Sequence, residues 1–311
     1  MKAMVLTAFA GYAAVREAEL PRPVRKCGQL LIENHAAAVN PIDAKICTGT
    51  NFVCKKRAGD PFPWTLGFDF AGTVLEADAD SRFKKGDRVA GSAGAPLHPC
   101  AYAEYLCADE NAVVKLPDHI SFEEGAGLIT AGLTALSICD LLPKRAQRVA
   151  VAGGSGGVGH LLVRYLKRSG RFVCASCNTA HMDFLRPYVD EIRDHTKPWE
   201  EADGRSFDAV IDMPGGDTGK SLYALLKKDG IMITVPTITE EEVKAACPVG
   251  MSASGVRCVR DQRHYEALMG YAAEGIVPYI SRALPLRDAQ DALREIQRGH
   301  TVGKIILSVR V

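Results

Sequence analysis

Seven consecutive residues, Gly153-Gly154-Ser155-Gly156-Gly157-Val158-Gly159, have the types and spacing to hold a diphosphate. Gly154, Gly156 and Gly159 satisfy the pattern G-x-G-x-x-G. The first glycine of such a pattern allows a tight turn. The second lets backbone approach a pyrophosphate, and the third lets a helix pack closely on the preceding strand. A helix start adds unpaired N–H groups and positive partial charge. The pattern alone is weak, so its flanks decide. Residues 148–152 form an apolar run, and Val158, Leu161, Leu162, Tyr165 and Leu166 recur on one helical face. Strand, glycine turn and amphipathic helix together predict a nicotinamide-dinucleotide site on these seven residues.

The next strand bears on which dinucleotide. An NAD site usually places an acid about 20 residues after the loop, on the ribose hydroxyls. Residues 171–182 contain no acid. Asn178 and Thr179 offer hydrogen bonds there, and His181 or Arg186 offers positive charge. A 2′-phosphate is tolerated where a carboxylate would repel it, so NADPH is expected ahead of NADH. Cys174 and Cys177 have C-x-x-C spacing but fall on the same predicted strand, where residues three apart face opposite ways. They read as small buried residues rather than a redox or metal pair.

The elements that must position the loop alternate. Strands are expected at 148–152, 171–176, 207–213 and 230–235, with helices after the loop and over about 218–228. Ser121 and Glu124 form a capping-box signature at the start of a further helix. This alternation predicts an α/β doubly wound parallel sheet. Residues 1–120 instead show short β-like runs, at 4–7, 30–33, 71–76 and 88–90, broken by Gly and Pro. They predict a mainly antiparallel β domain. Leu286, Ala289, Leu293 and Ile296 mark a last helix, and 304–309 a last strand. A lone helix and strand cannot stand alone, so 270–311 is expected to return to 1–120, leaving 121–269 as the cofactor-binding domain.

Composition narrows the function classes. The chain has 311 residues, 47% hydrophobic and 24% charged, with formal net charge +1. No global field recruits nucleic acid or anionic membrane. No apolar run reaches the roughly 18 residues that suggest a membrane span, and the N-terminus reads as a strand rather than a signal peptide. Ten dispersed cysteines fit a reducing, cytoplasmic setting. Lys55-Lys56-Arg57 reads as a solvated loop.

Further motifs occur in order along nearly the whole chain. They are Val39-Asn40-Pro41-Ile42-Asp43, Gly67-Phe68-Asp69-Phe70-Ala71-Gly72, Gly86-Asp87-Arg88-Val89 and Ala103-Glu104-Tyr105. With the glycine loop they resemble the medium-chain dehydrogenase/reductase superfamily, in its zinc-free quinone oxidoreductase (zeta-crystallin-like) branch. The resemblance implies a GroES-like catalytic domain beside a Rossmann domain, with the active site in the cleft between them. It places Asn40, Asp43 and Thr130 at the catalytic centre. Pro214, Val235, Pro236 and Lys304 join Asn178, Thr179 and His181 around the cofactor. Phe52, Phe68 and Tyr102 are candidate pocket residues. Two bland readings stay open: Asp43 as a helix cap and Lys304 as a surface lysine. The family's zinc-dependent members ligate metal at places that here hold Asn40, Phe68 and Thr130, none a good zinc ligand. No zinc is therefore expected. Cys47 stands where many members carry Arg, and the segment 51–63 looks long, so substrate preference is expected to differ.

The chemistry so implied is hydride transfer from NADPH to a quinone or to the β-carbon of an α,β-unsaturated carbonyl. Such acceptors are electrophilic without a Lewis acid; orientation and hydrogen bonds to the developing oxygen charge do the rest. No residue stands out as an obligate proton donor. Enoyl-thioester reduction is a close alternative. A non-catalytic NADPH-binding role, crystallin-like or RNA-binding, is a distant one, and the lack of a basic aromatic stripe disfavours RNA. The run 255–259 reads as an exposed sheet edge through which two copies would pair as a homodimer.

Overall fold

In the computed structural model of the chain, the glycine loop joins the strand Arg148–Ala152 to the helix Gly159–Arg168. Residues 1–95, 97–197, 206–299 and 301–310 are described. The strand is apolar and buried because parallel neighbours flank it on both sides. The sheet runs Glu191–Asp194, Phe172–Cys177, Arg148–Ala152, Phe207–Asp212, Leu226–Thr234 and Ser252–Gly255, each neighbour parallel. Numbered in chain order, that is 3-2-1-4-5-6, the doubly wound Rossmann arrangement. The loop therefore opens at the carboxyl end of the central strand, beside the point where strand order reverses.

Two expected elements differ here. The helix expected over 218–228 is Gly216–Ser221 followed by a tight turn at Leu222–Leu225. The next strand already begins at Leu226, which pairs with Phe207. The polar stretch Lys227, Lys228, Asp229 hid this early start, because a bulge between Phe207 and Ala209 leaves it outside the regular ladder. The sheet edge is Ser252–Gly255, not the run 255–259. Pairing stops at Gly255↔Thr234, where the neighbouring strand ends, so the apolar residues that follow have no ladder to join.

Met1–Thr130 with Arg260–Val311 forms one compact unit, and Ala131–Val259 a second. In the first, a seven-stranded sheet places Lys304–Ser308, Gln29–Val39, Asp69–Glu76 and Arg88–Ser92 side by side, antiparallel. The C-terminal strand enters this sheet because Ile305, Ile306 and Leu307 can be fully buried there. A single core holds residues from both ends of the chain, including Leu30, Val39, Phe70, Leu293 and Leu307.

The helix Phe122–Leu141 runs from the first unit into the second. Its capping box is formed: Ser121 N–H donates to Glu124 Oε2 at 2.8 Å, and Glu124 N–H to Ser121 Oγ at 3.1 Å. Contrary to the reading of the sequence, this helix is long and apolar enough by length and composition to cross a membrane, but 72% of that window is buried inside the protein. Burial against protein accounts for its apolarity, as in the core helix of a folded domain.

Candidate active site

Antiparallel register brings three strand ends together in the first unit. Ile305 pairs with Val39, and Ala38 with Asp69, so Lys304, Asn40 and Asp69 lie side by side at one end of the sheet. All three are buried, as is Asp43. Lys304 Nζ donates to Asn40 Oδ1 at 2.6 Å and to the Val39 carbonyl at 3.1 Å. Asn40 Nδ2 donates to Asp69 Oδ2 at 2.8 Å. Thr130, on the long helix, donates its hydroxyl to Asp69 Oδ1 at 2.6 Å and its N–H to Asp69 Oδ2 at 3.1 Å. Arg260 reaches Ser92 Oγ at 3.3 Å and Thr130 Oγ1 at 3.5 Å. The expected catalytic residues Asn40 and Thr130 are thus joined through Asp69.

Asp43 sits one helical turn from Asn40. Its Oδ2 accepts from the Asn40 N–H at 2.9 Å, the carboxylate half of a capping box, and from the Tyr102 hydroxyl at 3.0 Å. The helix-cap reading of Asp43 is therefore met: it caps the helix Pro41–Cys47, and the same carboxylate belongs to the polar cluster. Its Oδ1 is buried with no hydrogen-bond partner. Burial pushes its carboxyl from the ordinary 3.8 up to about 7, with Asp69 adding to the rise and the Asn40 and Tyr102 bonds opposing it. Burial likewise lowers the Lys304 ammonium, opposed by Asp69 and Asp43.

A titration with a definite sign follows. Between about pH 4 and pH 7 the folded chain holds the Asp43 proton while the unfolded chain has lost it. Stability contributed by the protonated form is therefore full below the ordinary value and is lost as pH rises to about 7. The slope is at most about 1.4 kcal/mol per pH unit. Asp43→Asn removes the titration and keeps an oxygen that can accept. The variant's stability relative to the parent, by urea unfolding at successive pH values, is expected to rise between pH 4.5 and 7.5. A constant or shrinking difference would refute this.

The remaining expected residues of the first unit are placed as follows. Lys304 is not a surface lysine: it is 3% exposed. Phe68 and Tyr102 lie in the hydrophobic core, and Tyr102 packs so closely on Gly67 that a Cβ there would come within 2.1 Å of its ring. Phe52 opens the short helix Phe52–Lys56 and is half exposed.

In the second unit, Gly154 packs on Ala175 and Leu185, where a Cβ would sit 2.8 and 2.9 Å away. A Cβ on Gly159 would meet the Gly153 carbonyl oxygen at 2.3 Å. The N–H groups of Gly153 and Gly154 bond the Ser176 carbonyl, and that of Gly156 bonds the Gly153 carbonyl. Those of Ser155, Gly157, Val158 and Gly159 bond no described backbone carbonyl. Unspent N–H groups at the start of a 10-residue helix suit a diphosphate. Ser155 Oγ lies 3.4 Å from His181 Nδ1, bringing those two expected contacts together. Pro214 is exposed, ahead of Gly215 and Gly216, whose φ values of 77° and 57° favour glycine. Val235 spends its N–H on the Asp212 carbonyl at 2.9 Å, which leaves its own carbonyl and Pro236 at the strand end.

Two acids here escaped the sequence reading. Asp212, buried, accepts from Gly215 N–H and Thr234 Oγ1, both at 2.7 Å, and so shapes the turn below Pro214. Asp194 pairs with Cys177 in the parallel register, and its Oδ2 accepts from Thr179 Oγ1 at 2.7 Å. Bonds from Thr179 and then Thr196 hold its carboxyl down at about 2. The strand after the loop has no acid, but its neighbour supplies one beside Thr179. Only the strand pairing could reveal that.

The places that the resemblance assigns to zinc ligands hold a carboxamide tied between Lys304 and Asp69, a core phenyl ring, and a hydroxyl bonded to Asp69. That donor set does not fit zinc, which takes thiolate, imidazole or carboxylate. Among the described residues no group of three or more His, Cys, Asp or Glu could hold a metal ion.

Comparison with known proteins agrees with this architecture. Residues 26–118 match the alcohol dehydrogenase GroES-like domain, and residues 189–307 the zinc-binding dehydrogenase family. A trans-enoyl reductase of Aspergillus niger is 35% identical over 299 residues, covering 88% of this chain and 74% of its own. The quinone oxidoreductase of Coxiella burnetii superposes with a TM-score of 0.94 at 34% identity, covering 100% of this chain and 99% of its own. The Escherichia coli quinone oxidoreductase complexed with NADPH has a TM-score of 0.85 at 19% identity, covering 99% and 100%, and shares the fold. The chain belongs to the medium-chain dehydrogenase/reductase superfamily, in its quinone oxidoreductase branch, and is an oxidoreductase.

Proposed function

We propose that this protein uses NADPH, without zinc, to reduce a quinone or the activated double bond of an α,β-unsaturated carbonyl. One observation carries the reading. Two of the three positions where zinc-dependent members ligate metal, Asn40 and Thr130, are instead tied into a hydrogen-bonded junction with Asp69 and Lys304. A site without a Lewis acid suits acceptors that are already electrophilic. Relatives named quinone oxidoreductase and trans-enoyl reductase support the two acceptor classes.

When bound, the dinucleotide supplies the hydride. The free N–H groups of Ser155, Gly157, Val158 and Gly159 hold its diphosphate. Asn178, Thr179 and His181 take the adenosine end, and Pro214, Val235 and Pro236 line the nicotinamide end. Asn40, Asp43 and Thr130 serve the reacting end. Asp43 and Tyr102 keep a proton within the buried cluster. Phe52 borders the acceptor, whereas Phe68 and Tyr102 act through packing. The working form is a cytoplasmic homodimer paired through the edge strand Ser252–Gly255. Ten free cysteines accord with a reducing compartment.

A second reading, use of NADH as well, is favoured by Asp194, whose carboxylate beside Thr179 opposes a 2′-phosphate. Steady-state oxidation of NADPH and NADH against a panel of quinones, enones and enoyl thioesters decides both points. Turnover with a quinone or enone and a lower KM for NADPH is expected. Equal or lower KM for NADH favours the second reading. Tight cofactor binding without turnover of any acceptor overturns the enzymatic one.

A further inference from the structure

The junction at the strand ends has a polarity that its distances alone do not state. A lysine ammonium can only donate, and an ionised aspartate can only accept. Asn40 lies between one of each: its Oδ1 takes a hydrogen from Lys304 at 2.6 Å, and its Nδ2 gives one to Asp69 at 2.8 Å. Rotating the carboxamide by half a turn would put NH₂ against the ammonium and the oxygen against the carboxylate. Both contacts would become repulsive in a place from which water is nearly excluded, since Asn40 is 4% exposed. Only one orientation is compatible with these neighbours. In it the carbonyl oxygen faces Lys304, and the second Nδ2 hydrogen is engaged by no described residue.

Asp69 sets a second polarity. It takes the only hydroxyl proton of Thr130 at 2.6 Å, so toward any other group that oxygen can only accept. The junction thus offers one surplus N–H, on Asn40, while the Thr130 oxygen, which also accepts from Arg260 at 3.5 Å, offers no further donor. Asp43 and Tyr102 face the same cluster, with the Asp43 carboxyl satisfied on Oδ2 by Asn40 N–H and Tyr102.

We propose that Lys304 and Asp69 are positioning residues that lock the Asn40 carboxamide in one orientation, so that its second N–H bonds the carbonyl oxygen of the acceptor as negative charge develops there. The assignment rests on the hydride-transfer reading above. It gives Lys304 a role in aiming a donor rather than in holding cofactor phosphates. A donor fixed in a dry site needs no reorganisation when charge appears, which is where such bonds accelerate most.

The test has two arms. In the first, side-chain amide resonances of ¹⁵N-labelled protein are recorded without acceptor, with Asn40 assigned by its loss in Asn40→Asp. One Asn40 amide proton is expected to be displaced downfield by Asp69 and slowed in exchange, and Lys304→Met is expected to remove both features. In the second, Lys304→Met is expected to lower kcat by about tenfold or more while NADPH affinity, by calorimetry, stays within about twofold. Lys304→Arg, which restores a buried cationic donor, is expected to recover most of that loss. The inference is overturned if the Asn40 resonances are indifferent to Lys304→Met. It is also overturned if kcat is unchanged, or if kcat, NADPH affinity and thermal stability fall together. If the parent reduces no acceptor at all, the functional reading fails instead, and the first arm alone decides the orientation.

Discussion

Gly159→Val is expected to abolish dinucleotide binding. The new Cβ would sit 2.3 Å from the Gly153 carbonyl oxygen, 2.9 Å from Gly154 Cα and 3.0 Å from Gly154 C. All three are backbone atoms, so no side chain can swing aside. The helix start must move off the central strand, and the N–H groups of Gly157, Val158 and Gly159 move with it. An affinity loss of at least about 100-fold by calorimetry is expected. The overpacking also costs about 1–3 kcal/mol of stability. Gly156→Ala is the control that separates space for protein from space for ligand. Its Cβ meets only the Gly153 carbonyl oxygen, at 3.6 Å, an ordinary contact. Stability is expected to hold while affinity falls. If Gly159→Val binds NADPH as the parent does, the loop is not the diphosphate site.

Asp69→Leu is expected to be the most damaging single change in the first unit. Asp69 is fully buried and accepts from Asn40 Nδ2, Thr130 N–H and the Thr130 hydroxyl. Leucine accepts from none of them, and it leaves the buried Lys304 ammonium without this neighbouring carboxylate. Removing one partner from a buried charged network costs about 3–5 kcal/mol. Asp69→Asn, whose oxygen still accepts, is expected to lose less. Urea unfolding of both variants measures the difference. A leucine variant as stable as the parent would mean that the network is dispensable to the fold.

The two sites were unequally legible in the sequence. The glycine loop could be read because strand, turn and helix start are contiguous, and Ser121–Glu124 because a capping box is local. The return of the last strand to the first unit could be inferred, since an isolated strand buries nothing. The junction could not. It joins residues 40, 69, 130 and 304 from four distant parts of the chain, and the resemblance that set Lys304 among the cofactor residues left an exposed lysine equally open. Asp69 stood inside a recognised motif, yet its role emerges only when three donors converge on it. Asp194 was hidden in the same way: it reaches Thr179 across a pair of parallel strands, so counting along one strand passes it by. The early strand at Leu226 was missed because its polar residues obscure both helical and strand periodicity.

Transfer of a label tests the central claim most directly. The protein is incubated with NADPH deuterated at the transferable C4 position and a simple enone, and the product is examined by NMR. Deuterium at the carbon β to the carbonyl, with a solvent proton at the α-carbon, is the expected result. Deuterium on the former carbonyl carbon, as in an allylic alcohol, or no transfer although NADPH is bound, would contradict it.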